Sequence, residues 1–92
     1  MKIYQVLYFG LDNYGDTNGE IIEVGYCDEK EKAYEMALKD SFENEGVLKQ
    51  VIITSKCARY DLITDIKSGK PDGFYQIREI AKNQVFNNLL AE

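Results

Sequence analysis

The chain has 92 residues, 45% of them hydrophobic and 29% charged, with seven Gly and one Pro. That is the composition of a folding globular chain and excludes disordered or collagenous sequences. Its length suits a single domain, residues 1–92, and excludes a multi-domain enzyme. The net charge is −5 and His is absent, so Ser-His-Asp, Cys-His and HExxH arrangements are all excluded.

The charge is unevenly spread. Residues 1–45 hold four Lys against eleven Asp and Glu, a net −7, whereas residues 46–92 hold seven Lys and Arg against five acids, a net +2. Nucleic-acid affinity comes mainly from neutralising phosphates, so the first half repels such a ligand and no direct nucleic-acid binding is expected. No apolar run approaches the roughly 18 residues of a membrane span, and MKIYQVLYFGLDNYG has no signal-peptide cleavage pattern. We expect a cytoplasmic protein with no membrane partner. Cys27 and Cys57 match no CxxC or zinc spacing and are expected to be free thiols.

In chain order, KIYQVLYF at 2–9 reads as a central strand. It is rich in β-branched and aromatic residues and apolar on both alternating faces. Residues 10–20 form a polar loop ending in Asn18-Gly19, and IIEVGYC at 21–27 is a second strand, paired antiparallel with the first. Asp28 with Glu31 suggests a capping box at the head of a helix over about 28–44. Ala33, Tyr34, Ala37, Leu38, Ser41 and Phe42 form its apolar stripe, and Gly46 ends it. VLKQVIITS at 47–55 is a third strand. ARYDLITDIKS at 58–68 fits two templates: a helix aligning Ala58, Leu62, Ile63 and Ile66, or a strand that the Lys70-Pro71-Asp72-Gly73 turn would join to 74–81 as a hairpin. We take the helical reading. FYQIREIA at 74–81 is a strand, and NQVFNNLLAE closes the chain as a short helix carrying Val85, Phe86, Leu89 and Leu90. The expected fold is α+β: a mainly antiparallel sheet of three to four strands against the main helix, with a short C-terminal helix.

No catalytic, cofactor-binding or metal-ligating residue is assigned. Neither GxxxxGK[ST] nor GxGxxG occurs. Asp12, Asp16, Asn18, Gly19 and Glu20 are oxygen-rich, but an EF-hand register puts Tyr14 and Gly25 at its first and twelfth positions, where carboxylates are required. Cys27 precedes the helix, yet Asp28, Glu29 and Glu31 oppose a lowered thiol pKa. Most of the seven Tyr fall in expected strands or the helix, whereas Tyr14 sits mid-loop among carboxylates, where an exposed aromatic can anchor a partner.

MKIYQVLY at 1–8, the GY-ending strand followed by DEKEKAY within 24–34, and GFYQIREI at 73–80 together resemble the small uncharacterised β-β-α-β proteins of Firmicutes and their phages. That resemblance implies a phage context rather than a mechanism. Taken with the charge layout, it leads to an expected non-catalytic, acidic protein-binding module, an anti-CRISPR-like antagonist of a host defence nuclease or other nucleic-acid-binding protein. Its basic protein partner would meet Asp12, Tyr14, Asp16, Glu20, Glu31, Glu35 and Glu43. The alternative is a self-associating structural or regulatory module of a phage or mobile element, a homodimer through Val85, Phe86, Leu89 and Leu90.

Overall fold

Alternating apolar residues make Lys2–Leu11 (β1) a strand that can be covered on both faces. In the computed structural model, which describes residues 2–54 and 56–81, it is flanked on both sides. Thr17–Cys27 (β2) pairs with it antiparallel on one edge and Gly73–Ala81 (β5) on the other. The helix α1 spans Lys30–Glu43, and Val47–Ile53 (β3) and Cys57–Ile63 (β4) complete the chain order. The sheet runs β2-β1-β5-β4-β3, every pair antiparallel. The β2–α1–β3 connection therefore carries the chain from one edge of the sheet to the other.

One face of the sheet packs on α1. Val6, Tyr75, Ile77, Ala58 and Leu62 meet Ala33 and Ala37 in the core, with Tyr4, Tyr8, Val24, Met36, Leu48 and Tyr60 around them. Small residues on the helix let it lie close to the sheet, so the buried helical side is Ala33, Ala37 and Ser41. The expected apolar stripe splits in two. Tyr34 and Phe42 stay exposed, Phe42 at 67%. On the opposite face of the sheet Phe9 stacks on Phe74 with ring centroids 4.9 Å apart. The Arg59 guanidinium lies 3.9 Å from the Phe74 centroid and pairs with Asp61 at 3.3 Å.

Four expectations are corrected. The sheet has five strands among the described residues, not three to four, because 58–68 is no helix: its first part is β4, followed by a turn. The strand alternation wins because Ala58, Tyr60 and Leu62 then reach α1 while β4 hydrogen-bonds to both β3 and β5. Ile66, which completed the helical stripe, is exposed in the turn. The helix starts at Lys30, with Glu29 rather than Asp28 at its N-cap and no side-chain capping bond. Its end is set by Asn44 and by Glu45 at φ 58°, not by Gly46. Finally, β2 begins at Thr17, four residues before the expected strand, and shortens the loop to 12–16. The expected C-terminal helix and its Val85, Phe86, Leu89 and Leu90 patch lie outside the described residues.

Candidate partner-binding site

The loop joining β1 to β2 is built by one aspartate. Asp12 Oδ1 accepts hydrogen bonds from the backbone N–H of Tyr14 at 2.8 Å and of Asp16 at 3.0 Å. Its own N–H donates to the Asp16 carbonyl at 2.8 Å, and its carbonyl accepts from Gly15 N–H at 3.2 Å. Gly15 at φ 83° supplies the left-handed residue that this turn needs. The result is a closed Asx-type turn with the Tyr14 ring at its tip, 90% exposed.

A second loop buttresses the first. Lys70 Nζ donates to the Asn13 carbonyl, and Leu11 N–H donates to the Asp72 carbonyl at 2.9 Å. Asp72 organises its own loop as Asp12 does: its Oδ2 accepts from Thr64 N–H at 3.0 Å and from the Thr64 hydroxyl. Between the two loops lies a shallow cleft of about 190 Å³, bordered by Asp12, Asn13, Asp65, Lys70 and Asp72.

Beneath the loops, acidic groups converge on two tyrosines. Tyr75 donates its hydroxyl proton to Asp40 Oδ2 at 2.5 Å, and its pKa is raised by burial first, then by that bond and the Asp40 charge. Tyr8 is raised by burial and then by Glu20, Asp72 and Asp40. Both phenols therefore stay neutral; Tyr75 ties the sheet to α1 through its bond to Asp40, and Tyr8 packs against the Tyr75 ring, their centroids 5.1 Å apart. On the other face, the Tyr26 hydroxyl donates to Glu23 Oε2 at 2.6 Å while Gln5 Nε2 donates to that same oxygen at 3.0 Å. Burial and that carboxylate push Tyr26 up to about 12.

The expected partner residues divide by position. Asp12, Tyr14, Asp16 and Glu20 lie together at the β1–β2 end of the molecule. Glu43 lies at the same end, because Asp40, one turn before it, bonds Tyr75, and Tyr75 is aligned with Tyr8. Glu31 and Glu35 belong to the first half of α1, whose N-terminus follows Cys27 at the opposite end of the sheet. Their helical surface is a mixture of signs, with Lys32 paired to Glu29 at 3.2 Å. The acidic residues thus do not form one contiguous patch. Asp12 is itself occupied in building the turn, which leaves Tyr14, Asp16 and Glu20 as its outward groups.

Asp40, Asp65, Lys70 and Asp72 were not anticipated as part of this end. The signal for Asp40 was present, since it sits three residues after Ala37 on the buried side of the helix, where a carboxylate needs a partner. Asp65, Lys70 and Asp72 required the hairpin reading of 58–81. Cys27 is half-buried, and burial followed by the Asp28 charge raises its thiol pKa. It is therefore held as a thiol at neutral pH. Among the described residues no group of three or more His, Cys, Asp and Glu could hold a metal ion, and no helix is long and apolar enough to cross a membrane. No protein-family model, no curated protein and no solved structure matches this chain.

Proposed function

We propose that this protein is a non-catalytic, acidic protein-binding module, acting in the cytoplasm as an anti-CRISPR-like antagonist of a host defence nuclease or another nucleic-acid-binding protein. The observation that carries the reading is Tyr14, 90% exposed on a turn closed by the Asp12 carboxylate and braced by Lys70. Because the turn backbone is already fixed, docking its aromatic side chain costs little backbone entropy, and such residues dominate interface energetics. Asp16 in the same turn and Glu20, whose carboxylate lies over Gly10, supply the charge that would steer the loop toward a basic groove. On this reading Asp12 is a builder of the site and Tyr14, Asp16 and Glu20 are its contacts.

The test is interferometry on purified RNA-guided and other defence nucleases with empty nucleic-acid grooves. The wild-type chain is expected to bind at least one of them, with affinity falling as salt rises from about 50 to about 300 mM. Tyr14→Ala and Asp16→Lys are each expected to cost about tenfold or more in affinity. Preloading the groove with nucleic acid should block binding. Binding that survives both substitutions, or that strengthens with salt, overturns the proposal.

A further inference from the structure

The two edges of the sheet are built differently. Edge β2 carries the deterrents expected of a lone strand: Glu20 and Glu23, Gly19 at φ 91°, and two register shifts against β1. Edge β3 reads VLKQVII, with a single charge, no Pro and one register shift against β4, and Val47, Val51, Ile52 and Ile53 are each about half exposed. Such a strand is an open template for another strand. The helix beside it carries a matching surface. Tyr34 leans toward β4, its ring 5.1 Å from that of Tyr60, whereas Met36 sits over Gly25 of β2. The stripe Tyr34, Leu38 and Phe42, one helical turn apart each time, therefore flanks the β3 side of α1.

We propose that this edge is the interface of a homodimer, in which β3 of a second copy pairs antiparallel with β3 and the two Tyr34–Leu38–Phe42 flanks meet above the joint. The argument for a second copy rather than an unrelated strand is self-complementarity: a second copy brings its own Tyr34–Leu38–Phe42 flank to the same side of the joined sheet, together with a strand whose register matches β3. Against β4, Val47, Lys49 and Ile52 stand on the face away from α1, while Leu48, Gln50 and Ile53 stand on the α1 face, with Val51 as the extra residue of a bulge. Residues directly opposite one another in a joined sheet must share a face. A two-fold axis through Gln50 meets that condition at every step. Gln50 faces Gln50 of the second copy, Lys49 faces Ile52, and Leu48 faces Ile53.

The neighbouring in-face alternative, centred on Lys49, would oppose two like charges and is disfavoured. The axis through Gln50 is normal to the sheet, so both helices remain on one side and their apolar flanks converge. The contact involves about ten residues a side, seven of β3 and three of the helix flank, fewer than the roughly 20–30 of a standard stable interface. Association is therefore expected to depend on concentration, with a dissociation constant on the order of 10–100 μM. Each copy carries −5, so screening by salt should strengthen the pairing, opposite in sign to the binding of a basic partner.

Sedimentation equilibrium of the full chain from about 5 to about 500 μM should show a monomer passing to a dimer, shifted toward dimer by added salt. Ile52→Lys and Phe42→Glu should each return a monomer with an unchanged circular dichroism spectrum, since these side chains are 51% and 67% exposed. In a Cys27→Ser, Cys57→Ser background, Gln50→Cys should cross-link to itself under mild oxidant. Directly opposed Cα atoms lie about 4.5–5.5 Å apart, within disulfide range. Lys49→Cys, placed opposite Ile52, should cross-link at most at a tenth of that rate. A monomer at the highest concentration, a dimer that persists in both Ile52→Lys and Phe42→Glu, or equal cross-linking at positions 49 and 50 overturns the proposal.

Discussion

Glu45 is the only non-glycine residue at positive φ among the described residues, at 58°, and it occupies the helix-stopping position that usually belongs to glycine. The hydrogen bonds around it complete a Schellman closure: Gly46 N–H donates to the Ser41 carbonyl at 2.9 Å and Glu45 N–H to the Phe42 carbonyl at 3.0 Å. Gly46 is small for another reason. A Cβ there would stand 2.4 Å from Leu62 Cδ1 and 3.2 Å from the Ile63 carbonyl oxygen. Two neighbouring substitutions should therefore act in opposite directions. Glu45→Gly relieves the left-handed strain and is expected to stabilise the fold by about 1 kcal/mol, net of the added freedom of the unfolded chain. In a domain of this size that raises Tm by roughly 4–8 °C. Gly46→Ala is expected to lower Tm, because the new methyl must displace a buried leucine. Differential scanning calorimetry of both variants checks the pair, and a Glu45→Gly variant that melts below wild type contradicts it. The sequence placed the stop within two residues but on the wrong one, Gly46, since local sequence does not reveal that Leu62 occupies the space beside Gly46 and leaves the left-handed position to Glu45.

At the scale of elements, β1, β5 and α1 were readable because periodicity and burial agree in them. For β4 the two conflict. Ala58, Leu62, Ile63 and Ile66 satisfy a helical stripe and Tyr60, Leu62 and Thr64 a strand, and only the presence of β3 and β5 as hydrogen-bonding neighbours decides between them. The helix stripe was legible as apolar but not as two functional halves, because the sheet covers only the alanine side. The N-terminus of α1 is a further case. Asp28 and Glu31 have capping-box spacing, yet the helix begins one residue later than that motif requires, and Glu29 at the N-cap makes no side-chain capping bond. Glu29→Ser is expected to supply the missing acceptor for the first-turn N–H groups and to stabilise the fold by about 1 kcal/mol. It loses only the solvent-exposed pair with Lys32, which contributes little. Urea unfolding should show a higher midpoint with an unchanged slope, and an unchanged midpoint would mean that the first turn gains nothing from a cap.

For the whole molecule, the charge asymmetry and the sheet order together determine how the two proposed surfaces relate. The Tyr14 loop joins β1 and β2, while β3 is the far edge of the sheet. A dimer through β3 therefore leaves both Tyr14 loops free, four strand spacings from the axis on each side and at opposite ends of the joined sheet, so more than about 40 Å apart. Two loops on one particle make binding to a clustered partner bivalent, and bivalency slows dissociation without any new contact. On a densely immobilised partner the wild-type chain, applied above its dimer dissociation constant, is expected to bind about 10²-fold more tightly than Ile52→Lys or Phe42→Glu. On a sparse surface, where a second loop has nothing to reach, all three should bind alike. The two substitutions change charge in opposite directions, so a shared loss on the dense surface reports the dimer rather than electrostatic steering. A loss of affinity for both variants on the sparse surface as well would mean that β3 and the Phe42 flank touch the partner themselves. The acidic loop and the apolar edge would then belong to one larger binding surface of a monomer.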